Sequence, residues 1–143
     1  MTPPFFQLDC FRRPALACAV VANLALVSCE GATYVNHHFA NATADTVRLG
    51  IRNNEAATGW MWDTVEAIPP GATHVHYAVD FWGKCHDCKA YETLPYGLDS
   101  LWVEGDSLLV DWMDSTLWTL EVDEGLSWIR FDQRLEMVPS MFD

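Results

Sequence analysis

Thr73-His74-Val75-His76-Tyr77-Ala78-Val79-Asp80-Phe81 is the clearest strand in the chain. Val75, Tyr77, Val79 and Phe81 recur at every second position and share one face of an extended segment, while His74, His76, Ala78 and Asp80 share the other. The apolar set is expected to face a core, and the histidines to be solvated. A proline-glycine turn, Ile68-Pro69-Pro70-Gly71, precedes this strand. A long loop from Gly83 to Gly97, carrying Cys85-His86-Asp87-Cys88 and Pro95, follows it.

The same period-2 signal extends outward in both directions. Upstream, Thr33 to Phe39 reads as a first strand, and Thr46 to Arg52 alternates with Val47, Leu49 and Ile51 on one face. Trp60 to Ala67 is another extended piece. Downstream, Ser100 to Val103, the turn Glu104-Gly105-Asp106 and Ser107 to Trp112 have the spacing of a β-hairpin. Trp118 to Val122, Asp123-Glu124-Gly125 and Leu126 to Phe131 repeat that pattern. No stretch beyond the N-terminal region sustains helical periodicity with caps at both ends. About seven short strands with turns every 8–12 residues point to an all-β fold, a small antiparallel β-sandwich of the immunoglobulin-like kind.

The N-terminal region has a different character. Arg12 and Arg13 precede an apolar run, Ala15 to Val27, broken by Asn23. At about thirteen residues it is shorter than the roughly 20 a membrane-spanning helix needs, and it suits the apolar region of an export signal. Leu26-Val27-Ser28-Cys29 then looks like a bacterial lipobox, whose cysteine becomes the acylated first residue of the mature protein. On this reading residues 1–28 are a lipoprotein signal peptide, 29–143 are one domain with 29–32 as tether, and acyl chains such as palmitate on Cys29 hold the domain on a membrane. Each buried methylene contributes about 0.8 kcal/mol, so two or three acyl chains make that attachment essentially permanent. The expected address is the cell envelope, at the inner or outer membrane and facing the periplasm or the cell surface.

Composition narrows the partners. Cleavage removes Arg12, Arg13 and Asp9, so of 8 basic and 20 acidic residues 6 and 19 remain. A surface this acidic repels phosphate backbones, and nucleic-acid binding, which needs a basic footprint, is excluded. All 7 tryptophans lie beyond the cleavage site and argue against disorder. Of 5 cysteines, Cys10 and Cys18 leave with the signal and Cys29 carries lipid, so Cys85 and Cys88 are left with each other in an oxidising compartment.

The mature chain resembles the small β-sandwich lipoproteins common in Bacteroides-type bacteria. The shared pattern is the lipobox cysteine, an early strand with asparagine-rich neighbours (NATADTVRLGIRNN), a proline-glycine turn (AIPPGATHV), a DSLWVEGDSLLVDW-like hairpin ending in tryptophan, and an aromatic C-terminal strand. The resemblance covers most of residues 29–137. It implies the fold and the envelope location and assigns no activity.

Three readings compete at Cys85-His86-Asp87-Cys88. The first is a local disulfide closing the loop. The second is a thiol-disulfide active site, in which a neighbouring histidine lowers the thiolate pKa, although such motifs normally open a helix and these flanks read as loop. The third is structural zinc, held by His74 and His76 from one strand face together with Cys85 and Cys88 at knuckle spacing. Trp60 and Trp62 lie on one face of an extended segment and form a platform on which sugar rings can stack. Trp102, Trp112, Trp118 and Trp128 are expected in core or strand-pair packing. The chain carries no phosphate loop, GxSxG elbow or HExxH motif, and the carboxylates fall mostly in turns. The expectation is therefore a non-enzymatic, lipid-anchored envelope protein without a cofactor, working by contact with a partner protein or glycan. A carbohydrate-binding module and a thiol or metal site at the CxxC are the alternatives.

Overall fold

Each strand forms where alternating or β-branched residues supply one buriable face, and each stops at a turn-forming residue. The computed structural model describes residues 31–143 apart from 60, 84, 86 and 87. Among them are seven strands: β1 (Ala32–Asn41), β2 (Val47–Asn53), β3 (Asp63–Ile68), β4 (Thr73–Trp82), β5 (Leu98–Val103), β6 (Trp118–Glu124) and β7 (Trp128–Met137). A single-turn helix, α1 (Glu55–Thr58), is capped by the Asn54 side chain at one end and by Gly59 at φ 77° at the other. The strands make an all-β sandwich of one four-stranded sheet, β4-β1-β7-β6, and one three-stranded sheet, β3-β2-β5.

Strand pairing is antiparallel as expected, with one exception: β1 and β7, the first and last strands, run parallel. The expected hairpin from Trp118 to Phe131 is present as β6 and β7, joined through Gly125 to Ser127. The other expected hairpin is not. After β5 the segment from Ser107 to Trp112 forms no strand, because its backbone groups go to the C-terminus: Leu109 N–H donates to the Met141 carbonyl at 2.9 Å and Asp143 N–H to that of Ser107 at 3.2 Å. β5 instead pairs with β2.

A bulge in β4 overturns the simple reading of its two faces. Val35 pairs with Val79 but Asn36 pairs with Tyr77, so Ala78 is the extra residue. The slip lets Ala78 and Val79 both pack inside, and it turns His76 inward while Tyr77 points out with 69% of its surface exposed. His76, expected in solvent, is buried.

The interior divides into two apolar clusters. Phe39, Leu49, Ile51, Ile68, Trp118, Leu135 and Met137 belong to the larger, which lies between the two sheets. Fully burying each such aliphatic or aromatic side chain contributes roughly 1.5–3 kcal/mol. Val35, Ala78, Val79, Ile129 and Phe131 form the smaller, at the end where β1 begins. The three-stranded sheet does not reach that end, since β2 stops at Asn53, whose side chain meets His76 opposite the middle of β1. The segment from Gly83 to Gly97 takes its place: Tyr91, Tyr96, Cys85 and Cys88 pack on the smaller cluster. What reads as an open loop is a lid on half the core.

Candidate functional site

Between the two clusters runs a row of polar side chains at paired positions on three neighbouring strands: His76 on β4, His37 on β1 and Gln133 on β7. All three are buried, His37 and Gln133 completely. Buried polar atoms need partners; His37 Nε2 and Gln133 find theirs in the lid and His76 at the end of β2, while His37 Nδ1 is left without one. His37 Nε2 donates to the Tyr96 carbonyl at 2.8 Å, the carbonyl fixing which ring nitrogen carries the proton. Gln133 accepts from the Tyr96 N–H and donates to the Tyr91 carbonyl, each at 2.8 Å. His76 Nε2 donates to Asn53 Oδ1 at 2.8 Å. Burial, with the neighbouring His76 imidazole adding to it, pushes the His37 pKa down to about 3. Burial and the nearby His74 push His76 down to about 4. Both rings are neutral at physiological pH, as a water-poor interior demands.

His76 also forms the inner wall of a cleft between the edge strands β3 and β4. Trp62, Thr64, Glu66 and His74 complete this hollow of about 130 Å³, which Val75 and Tyr77 close on the outer side. The Trp62 ring stands edge-on to His76 with centroids 6.4 Å apart, yet 61% of its surface is exposed. Thr64 Oγ1 donates to Glu66 Oε1 at 2.8 Å, which turns the carboxylate along the cleft.

Val75 and Tyr77 also border a second, larger hollow of about 460 Å³ on the outer face of the four-stranded sheet. Its floor and far wall are Tyr34, Asn36, His38, Arg130 and Asp132, side chains brought together by the parallel pairing of β1 with β7. Asp132 organises them. One carboxylate oxygen accepts from Asn36 Nδ2 at 2.8 Å and His38 Nε2 at 3.0 Å, the other from Arg130 Nε at 2.7 Å. Burial opposes ionisation of Asp132, but these donors outweigh it and hold the carboxyl below the usual range. Arg130 also reaches Asp123 at 3.0 Å and lies over the Trp128 ring at 5.8 Å. Asp132 thus holds the Asn36, His38 and Arg130 side chains in place.

The residues expected to carry chemistry fall as follows. Cys85 and Cys88 are joined in a disulfide, their Cα atoms 5.6 Å apart. This corrects the zinc reading, because bonded sulfurs offer no thiolate, and His74 and His76 line the edge cleft while the disulfide packs on the smaller cluster. Among the described residues no group of three or more metal-binding side chains converges. Trp62 is exposed as a sugar platform requires; Trp60, its expected companion, lies outside the described residues, as do Cys29 and the signal segment. Trp118 is in the larger cluster, with Trp112 packed against it. Trp102 lies over Gly50 and Trp128 over Gly125. Tyr77, expected to face the core, is exposed instead, and nothing in the sequence marks His38, Asn36, Arg130 and Asp132 as its companions, since only the β4 bulge and the parallel β1–β7 pair bring them to one face. No protein-family model, curated protein or solved structure matches the chain.

Two exposed aromatic rings, Trp62 and Tyr77, therefore stand over two hollows lined by carboxylates, imidazoles, an amide and a guanidinium. Such a surface can stack against an apolar ring face and exchange hydrogen bonds with its polar edges.

Proposed function

We propose that this protein is a lipid-anchored component of the bacterial cell envelope, of the kind its sequence resembles, and that it works by holding a glycan rather than by transforming one. Acyl chains on Cys29 provide the anchor, and the face bearing Trp62 and Tyr77 provides the contact. The observation that carries this reading is the exposure of both rings, 61% and 69%: Trp62 borders the smaller hollow, and Tyr77 stands in the wall that the two polar hollows share. Sugars present apolar ring faces and rims of hydroxyls, which match aromatic platforms flanked by polar side chains. An acidic protein, net −12 over the full chain, is suited to neutral sugars in preference to anionic ones.

Titrating the domain with a panel of neutral and acidic oligosaccharides while recording tryptophan fluorescence tests this. Saturable binding of a neutral sugar, lost in Trp62→Ala and Tyr77→Ala but kept in Trp102→Phe, is the expected result. Absence of binding across the panel, together with capture of an envelope protein that Trp62→Ala leaves unchanged, moves the contact to a protein partner and away from this face.

A further inference from the structure

The start of β1 fixes which end of the domain meets the membrane. Cys29 precedes Gly31 by two residues, so its α-carbon lies within about 8 Å of that of Gly31. Gly31 is already tied into the sandwich: its carbonyl accepts from the Gly83 N–H, and the next residue, Ala32, donates to the Ser127 carbonyl at 2.8 Å. The β6–β7 turn, Gly125-Leu126-Ser127, therefore sits beside the start of β1.

That turn carries an apolar tip. Leu126 is completely exposed, and Val122 on the same end of β6 is 47% exposed. Gly125 allows the Trp128 indole to fold against it, since a β-carbon there would strike the ring. Of the two acidic side chains that end β6, Asp123 is paired with Arg130 at 3.0 Å, while Glu124, exposed beside Gly125, marks the polar border of the tip. The opposite end differs. The turns Ala42 to Thr46 and Pro69 to Gly71 lie there, nine residues along β1 and roughly 30 Å away at about 3.3 Å per residue.

We infer that the β6–β7 turn is the membrane-facing edge of the domain and that Leu126 inserts into the bilayer interface. The inference rests on acylation of Cys29, which is part of the function proposed above, and adds an orientation to it. The partner is a lipid surface: an anchor two residues before Gly31 keeps the adjoining turn close to it, and an apolar side chain so held leaves water for the headgroup region. β1 then runs away from the bilayer, and the domain no longer swings freely on its anchor.

The test uses the full chain produced in a bacterium that processes lipoproteins. Leu126→Cys and Ala44→Cys are each labelled with an environment-sensitive dye, and the proteins are placed in phosphatidylcholine vesicles with brominated acyl chains. Both positions are exposed turns, so neither variant disturbs the core. Intact mass establishes whether Cys29 is acylated. The expected result is a blue-shifted dye at 126, quenched several-fold more strongly than the dye at 44. Equal weak quenching of an acylated, vesicle-bound protein overturns the orientation and leaves the anchor standing. Stronger quenching at 44 overturns it in the same way. An unacylated chain overturns both.

Discussion

The imidazoles of His37 and His76 stack across β1 and β4 with centroids 6.1 Å apart and planes 20° from parallel. Two rings this close inside a sandwich cannot both be charged, and their folded-state pKa values, about 3 and about 4, lie well below the 6.5 of a solvated histidine. Between those values the unfolded chain binds more protons than the folded one, so stability rises with pH there. The contribution of the pair is fully present above pH 6.5 and is lost as pH falls toward 4 and then 3. Between pH 7 and 4.5 the loss is expected to be on the order of a few kcal/mol. Urea titrations across that range measure it, and a His37→Gln, His76→Gln double variant flattens the dependence. A wild-type stability constant from pH 7 to 5 is incompatible with neutral buried rings.

Gln133 holds the lid by three backbone groups, the Tyr91 and Thr93 carbonyls and the Tyr96 N–H. Gln133→Leu keeps the volume and removes those three bonds, at about 1–3 kcal/mol for each group that is left dry. The expected outcome is a large drop in unfolding midpoint, with hydrogen exchange rising first at Tyr96. Uniform exchange changes over the whole domain would show that the lid is not a separable unit.

The disulfide closes a very short loop, with three residues of sequence separation. The chain-entropy model gives such a closure about 2 kcal/mol. The Cys85→Ser, Cys88→Ser double variant should therefore fold, with an unchanged far-ultraviolet spectrum and a free energy of unfolding lower by about that amount. Complete unfolding would mean that the bridge holds the lid by more than loop closure.

Gly50 lies under the Trp102 indole, over which the Arg52 guanidinium sits at 5.9 Å. A β-carbon at position 50 would occupy the space of the ring. Gly50→Val is expected to expel Trp102 and cost about 1–3 kcal/mol, read as a red-shifted tryptophan emission and a lower thermal midpoint. Trp102→Ala in the same chain should recover part of the loss.

Much of the sandwich is visible in the chain itself. Val47, Leu49 and Ile51 alternate cleanly because β2 is covered on one face only, and the β6–β7 hairpin announces itself through Asp123-Glu124-Gly125. The misreadings have a common origin in pairing over long distances. Ser107 to Trp112 has strand-like residues, but Met141 and Asp143 claim its backbone. Tyr77 looks like a core residue until the bulge at Ala78 reverses its face. The larger hollow is invisible for the same reason: Asn36 and Asp132 are 96 residues apart in the chain and meet only because β1 and β7 are neighbours.

That neighbourhood also sets a timetable. β1 is among the first segments of the domain to be made and β7 the last, yet β1 lies between β4 and β7 in the sheet. The four-stranded sheet cannot close until residues 128–137 are available, so a nascent chain has no native partner for one whole edge of β1. Folds dominated by such distant pairings assemble in milliseconds to seconds, slower than local ones. A chain cut short before Trp128 would leave β1 open to pairing with other chains.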